Sequence, residues 1–126
     1  MRERKSLPES ELDIMLAVWH KDGPATAPAI LEALEKPLTA SALHSYLKRL
    51  EEKGFLRCEK EGRVNSYTPL ITEEEYRRSE GGAVLEKLYE GSLKTFAAAL
   101  WDGGSLSRED VSELRSFLDE LEGGEG

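Results

Sequence analysis

The sequence predicts a mainly α chain with a small β-wing, and three observations predict it. Apolar residues recur at helical spacing in successive segments, and glycine and proline interrupt those segments at short intervals. One stretch, Phe55 to Thr68, changes instead to two short extended segments around the turn signal Glu61-Gly62-Arg63.

Taken in order, Leu12, Met15, Leu16 and Trp19 repeat at i, i+3, i+4, i+7, with Ile14 and Val18 widening the stripe. This predicts a helix from Glu9 to about His20, with Pro8 suited to its first turn. Asp22-Gly23-Pro24 breaks the chain. Thr26 then caps a second helix through Ile30, Leu31 and Leu34, which Lys36-Pro37 is expected to stop. Thr39 caps a third, whose Leu43, Leu47 and Leu50 share one face, and Gly54 ends it. Phe55 to Lys60 and Val64 to Thr68 follow as a two-stranded ribbon. Three closely spaced helices and a hairpin can bury their single apolar faces against one another, and the second and third helices form a helix-turn-helix. Residues 1–70 are therefore predicted to be a winged helix-turn-helix domain.

Beyond Pro69 the pattern changes. Thr72 and Glu75 form a capping box that opens a polar helical segment containing Tyr76, which Gly81-Gly82 is expected to interrupt. Leu85, Leu88, Tyr89, Leu93, Phe96 and Leu100 then make a long helical stripe, with Gly91 as a break point, and Asp102-Gly103-Gly104 breaks it again. Ser107 with Asp110 caps a last helix carrying Val111, Leu114, Phe117, Leu118 and Leu121. Residues 71–122 are thus a helical domain, and residues 123–126 a tail with nothing to bury, predicted to be disordered. Helices of this size cannot cover such stripes within about 50 residues, so a partner chain is the simplest cover. Leu85, Leu88, Tyr89, Leu93, Phe96, Leu100, Leu114, Phe117, Leu118 and Leu121 are accordingly assigned to a dimer interface.

The composition, 39% apolar and 33% charged over 126 residues, allows one modest domain plus an appendage rather than two large cores. No run approaches the ~20 apolar residues of a membrane span, and Met1 to Lys5 is charged without the apolar stretch of a signal peptide, so a cytoplasmic location is expected. The single cysteine excludes an internal disulfide. A net charge of −8 argues at first against nucleic acid, but residues 1–70 carry 11 basic and 11 acidic side chains whereas residues 71–126 carry 6 and 14. Between Lys36 and Arg63 there are 7 basic against 4 acidic residues. The acid is segregated from the helix-and-wing unit, which keeps a weak positive surplus.

At about 100° per residue, Ser41, Ser45, Lys48 and Glu52 lie opposite the leucines of the third helix, with His44 at their margin. Periodicity alone reads these as a solvated face. A following wing favours a surface that fits a groove, with Arg49 as a phosphate contact or a flank of the core, Arg63 and similarly Lys60 as minor-groove contacts or solubilisers of the turn, and Lys53 and Arg57 as ordinary surface cations. Trp19 reads as a core anchor, Tyr67 as a packed strand aromatic or a phosphate donor, and Trp101 as an exposed cap of the dimer interface. Cys58 reads as a half-buried apolar residue, with a redox role as the alternative. His20, His44 and Cys58 lack metal-ligand spacing, and no catalytic constellation or phosphate loop appears, so neither metal, cofactor nor enzymatic activity is expected.

The blocks ESELDIMLAVWHKDGPAT, SALHSYLKRLEEKGFLRCEKEGRVNSYTPLITEEEY, LYEGSLKTFAAAL and LSREDVSELRSFL, in that order, resemble the penicillinase-repressor family of bacterial transcription regulators, the BlaI and MecI type. The similarity spans nearly the whole chain. It implies a homodimeric winged-helix repressor on a palindromic operator. The family's polar, Thr-rich start of the recognition helix falls at Thr39, Ala40, Ser41 and Ala42, with Ser45 one turn on. Ala40 and Ala42 lack a hydroxyl and offer only methyl contacts, as to thymine, so a different operator sequence is implied, and His44 adds a longer polar group. The β-lactam-responsive members are cleaved between Asn and Phe by a membrane sensor protease; Ala99-Leu100 stands at the comparable position, which leaves sensor protease or other inducer open. The paired C-terminal cysteines of a copper-responsive branch have no counterpart. The expected function is a DNA-binding transcriptional repressor acting as a homodimer on double-stranded operator DNA. The alternative is a winged-helix adaptor for protein partners.

Overall fold

Element order follows the apolar periodicity. The computed structural model describes residues 6–123; Met1 to Lys5 and residues 124–126 of the expected tail lie outside it. Along the chain run α1 (Glu9–Trp19), β1 (Ala25–Thr26), α2 (Ala27–Ala33), α3 (Ala40–Glu52), β2 (Leu56–Glu61), β3 (Val64–Pro69), α4 (Glu73–Tyr89), α5 (Leu93–Asp102) and α6 (Arg108–Gly123). They fall into two compact units, one ending at Glu80 and the other beginning at Gly81.

In the first unit, Ile14, Met15 and Val18 of α1, Ile30 of α2 and Leu43, Leu47 and Leu50 of α3 are buried together with Phe55, Leu56, Tyr67 and Ile71. These are the residues whose spacing predicts one apolar stripe per helix, and burying those stripes against one another is what holds three short helices in place. Gly54 takes a φ of 83°, a left-handed value that glycine adopts without a Cβ penalty, and so turns the end of α3 into β2. Trp19 is a half-buried anchor whose Nε1–H donates to the Ile71 carbonyl at 2.8 Å. Its ring lies 5.7 Å from that of Tyr76, and the Tyr76 hydroxyl accepts from the Leu7 backbone N–H at 2.9 Å. Tyr76 is therefore core of the first unit, which extends past the boundary drawn at residue 70.

Three expectations are corrected. The ribbon is a three-stranded antiparallel sheet in the order β1-β3-β2, because Ala25 and Thr26 pair with Tyr67 and Ser66. Two residues carry no periodicity of their own, so only the pairing with β3 makes them a strand. Helix α2 ends at Ala33 rather than at Lys36-Pro37: Leu34 is extended, with ψ 133°, and its side chain packs on the core. Gly81-Gly82 does not interrupt α4, which is continuous from Glu73 to Tyr89. Each glycine weakens a helix by about 1 kcal/mol relative to alanine without forbidding it. Here the Thr72–Glu75 capping box, closed by hydrogen bonds of 2.8 and 3.0 Å, and the Arg77–Glu73 and Arg78–Glu74 pairs support the first turns.

In the second unit the break at Gly91 forms, with positive φ at Glu90 and Gly91, and the stripe from Leu85 to Leu100 is divided between α4 and α5. Tyr89 and Phe96 bring their rings to 4.9 Å across this turn. Ser107 and Asp110 exchange backbone N–H to side-chain hydrogen bonds of 3.0 Å at the start of α6, and the Ser107 backbone N–H, then its side chain, lower the Asp110 carboxyl below its ordinary range. Helix α6 runs to Gly123, so the first residue of the expected tail is helical.

Candidate nucleic-acid interface

Helix α3 supplies the surface. Thr39 Oγ1 accepts the Ala42 N–H at 3.0 Å and fixes its start, while Leu43, Leu47 and Leu50 face inward with at most 1% of their surface exposed. Burial of that stripe decides the outward one: Thr39, Ser41, His44, Ser45, Lys48 and Arg49 are exposed and Ala42 is half-buried. Six register pairs from Leu56↔Pro69 to Glu61↔Val64 carry the hairpin out to a two-residue turn at Gly62 and Arg63, where Gly62 has φ 65°. Lys60, Arg63 and the apolar Val64 are exposed there. Structure thus presents a small polar helix face and, on the same unit, a ribbon tipped by cations.

Ion pairing sorts the basic residues. Lys36 is held by Glu9 at 2.8 Å, a contact that raises the ammonium and lowers the carboxyl from their ordinary values. Lys53 is held by Glu11 and Arg57 lies 3.6 Å from Glu59. Among the described residues Lys48, Arg49, Lys60 and Arg63 take part in no ion pair, so their charge is available to an outside anion. The Arg49 guanidinium instead sits 5.6 Å from the centroid of the Tyr46 ring. Tyr46 carries no role from sequence reading; its spacing of three residues from Arg49 on a helix is the signal that would have found it.

Tyr67 is 4% exposed and packs rather than facing outward. Burial, then the neighbouring Cys58 thiol, pushes its phenol up to about 12. Cys58 is half-buried directly opposite it in the β2–β3 register.

In the second unit no residue of α5 or α6 is buried. Leu88, Leu93, Leu114, Phe117, Leu118 and Leu121 are exposed, Leu88 by 69% and Phe117 by 54%, and Trp101 is 48% exposed. Leu85, Tyr89, Phe96 and Leu100 are half-buried within the chain itself. Among the described residues, no helix is long and apolar enough to cross a membrane.

Three helices, the second and third in helix-turn-helix order, and an antiparallel wing define the class: a winged-helix protein. The family model of the penicillinase repressor matches residues 7–120. The penicillinase repressor of Bacillus licheniformis is 31% identical over 122 residues, covering 95% of this chain and 94% of that protein. The methicillin resistance regulatory protein MecI of Staphylococcus aureus is 24% identical over 111 residues, covering 86% and 89%. Among solved structures, the Bacillus licheniformis BlaI monomeric form in complex with the blaP half-operator aligns with a TM-score of 0.49 and 30% identity, over 60% of this chain and 94% of that one. The chain belongs to the penicillinase repressor family, whose members are DNA-binding transcriptional repressors and not enzymes.

Proposed function

We propose that the protein represses transcription as a homodimer that seats two copies of α3 in successive major grooves of a palindromic operator. The observation that carries this reading is the pairing, on one unit, of an exposed Ser41, His44 and Ser45 face with Lys48, Arg49, Lys60 and Arg63, cations that make no ion pair among the described residues. Small hydroxyls and an imidazole can exchange hydrogen bonds with base edges, whereas the cations fix register on phosphates. One such module buries only about 600–1,000 Å² on DNA, so two linked copies are needed for useful affinity and selectivity. The exposed leucines and Phe117 of the second unit supply a surface for that linkage, with the first unit, through Glu80, as the reading domain and the second, from Gly81, as the pairing domain. Its place of action is the cytoplasm, where the operator is.

A polarisation titration against DNA from upstream of its own gene, repeated at rising salt, tests this. Sequence-selective binding with a steep salt slope is expected. No binding at low salt would exclude a DNA reader and leave a protein-interaction adaptor.

A further inference from the structure

Arg49 stands apart from the other cations of the first unit. Lys36 and Lys53 donate to carboxylates, Arg57 lies 3.6 Å from the Glu59 carboxylate, and among the described residues Lys48, Lys60 and Arg63 are exposed without an ion-pair partner. Arg49 alone among them is held by an uncharged group, its guanidinium carbon 5.6 Å from the Tyr46 ring centroid, within the range of a cation–π contact. Tyr46 is half-buried and packed against the core that contains Leu43, Leu47 and Leu50, so the ring is a fixed platform. At about 100° per residue, Arg49 lies about 40° round the helix from Ser45 and about 60° from Tyr46, on the flank between the outward face and the core. A helix lying in a major groove turns that flank toward a phosphate strand.

We infer that Tyr46 is a positioning residue for Arg49, and that the two form a preset clamp for a backbone phosphate of duplex DNA. The inference rests on the reading of α3 as the DNA-facing helix. A ring holds a guanidinium by its face and leaves the in-plane N–H donors free for a bidentate contact, whereas a carboxylate would occupy them. Fixing the side chain before binding also removes part of the entropy lost on contact.

The test uses the full chain and a fluorescent mixed-sequence DNA duplex, because a phosphate contact is independent of sequence. Tyr46→Leu should weaken binding about two- to five-fold, the fold-change that matches a cation–π contact at an exposed site. Tyr46→Phe should bind as the parent does. In an Arg49→Ala background, which itself lowers the salt slope by about 1, Tyr46→Leu should have no further effect. An equal loss with and without Arg49, or no loss, overturns the clamp, since a purely structural role would persist when Arg49 is gone. Arg49→Lys leaves Tyr46 packing untouched and keeps the charge; it should bind more weakly than the parent at an unchanged salt slope, and parental affinity would count against the clamp. If the unaltered chain fails to bind the duplex at low salt, the DNA reading falls with it; binding that is indifferent to Tyr46 removes the clamp alone.

Discussion

Lys53 Nζ stands 2.5 Å from Oε1 of Glu11, and the two ends of this pair are unequally buried: the Glu11 side chain is 3% exposed and that of Lys53 is 32% exposed. Glu11 belongs to α1 and Lys53 is the C-cap of α3, so the contact ties the end of the outward-facing helix to the body of its unit. Removing the lysine strands a carboxylate in the interior, whereas removing the carboxylate lets the lysine turn to water. Lys53→Met should therefore destabilise the protein by about 3 kcal/mol, and Glu11→Gln by clearly less. Adding Glu11→Gln to Lys53→Met should recover part of the loss. Urea unfolding of the four proteins measures the cycle, and the reverse ordering would contradict the account.

Ser41 and Arg63 should respond differently. Ser41→Glu sets a carboxylate on the exposed face of α3, against base acceptors and phosphates, and should abolish duplex binding while sedimentation shows an unchanged oligomer. Arg63→Ala at the wing tip should weaken all sequences alike and lower the salt slope by about 1. Lost sequence preference would instead mean that the wing reads bases.

Self-association should depend on α6. Phe117 is 54% exposed and shares its helix face with Leu114, Leu118 and Leu121. Phe117→Glu places charge in any apolar interface built there and should yield a monomer by sedimentation equilibrium, with no loss of the first unit's helical signal. A dimer that survives the change would place the interface elsewhere.

The paired glycines of α4 offer a gain in stability. A Cβ on Gly81 or Gly82 meets nothing within 4 Å, and neither residue has a left-handed φ. Alanine at either should add about 1 kcal/mol to the helix, read as raised thermal midpoint and ellipticity. Gly91 is the contrast. Its φ is 77°, a left-handed value at which a Cβ is strained, so Gly91→Ala should destabilise even though the nearby Glu86 carboxylate can swing aside.

Tyr67 predicts an alkaline limit. Its phenol is raised from 10.0 to about 12 by burial and then by Cys58, so the folded chain keeps a proton that the unfolded chain loses above pH 10. Stability is fully present below pH 10 and falls as pH rises toward 12, because there the unfolded state binds fewer protons. Tyr67→Phe should remove that part of the fall. Compared from pH 9 upward, the parent's denaturant midpoint should drop relative to the variant's through this window; parallel curves would refute it.

Much of the first unit was legible because its signals are local. The stripes of α1 and α3, the Thr26 and Thr39 caps and the Glu61-Gly62-Arg63 turn each depend on neighbours a few residues away. The Thr72–Glu75 and Ser107–Asp110 caps are of the same kind. Gly81-Gly82 misled because glycine weakens a helix without ending one, and the capping box and ion pairs of the first turns support it. Of the outward residues, Tyr46 went unassigned, since an aromatic at the margin of an apolar stripe reads as packing until the guanidinium above it is placed.

By itself, then, the sequence determined which residues face inward on each helix, where caps and turns fall, and that the acidic excess lies outside residues 36–63, since all of these follow from local periodicity, backbone chemistry and charge counts. Tertiary structure alone decided the third strand at Ala25-Thr26, the inclusion of Tyr76 in the first core, the Glu11–Lys53 tie, and which cations are left for an outside anion. Each of these depends on groups far apart in the chain, and a pairing partner acts on them only once the fold has closed the distance.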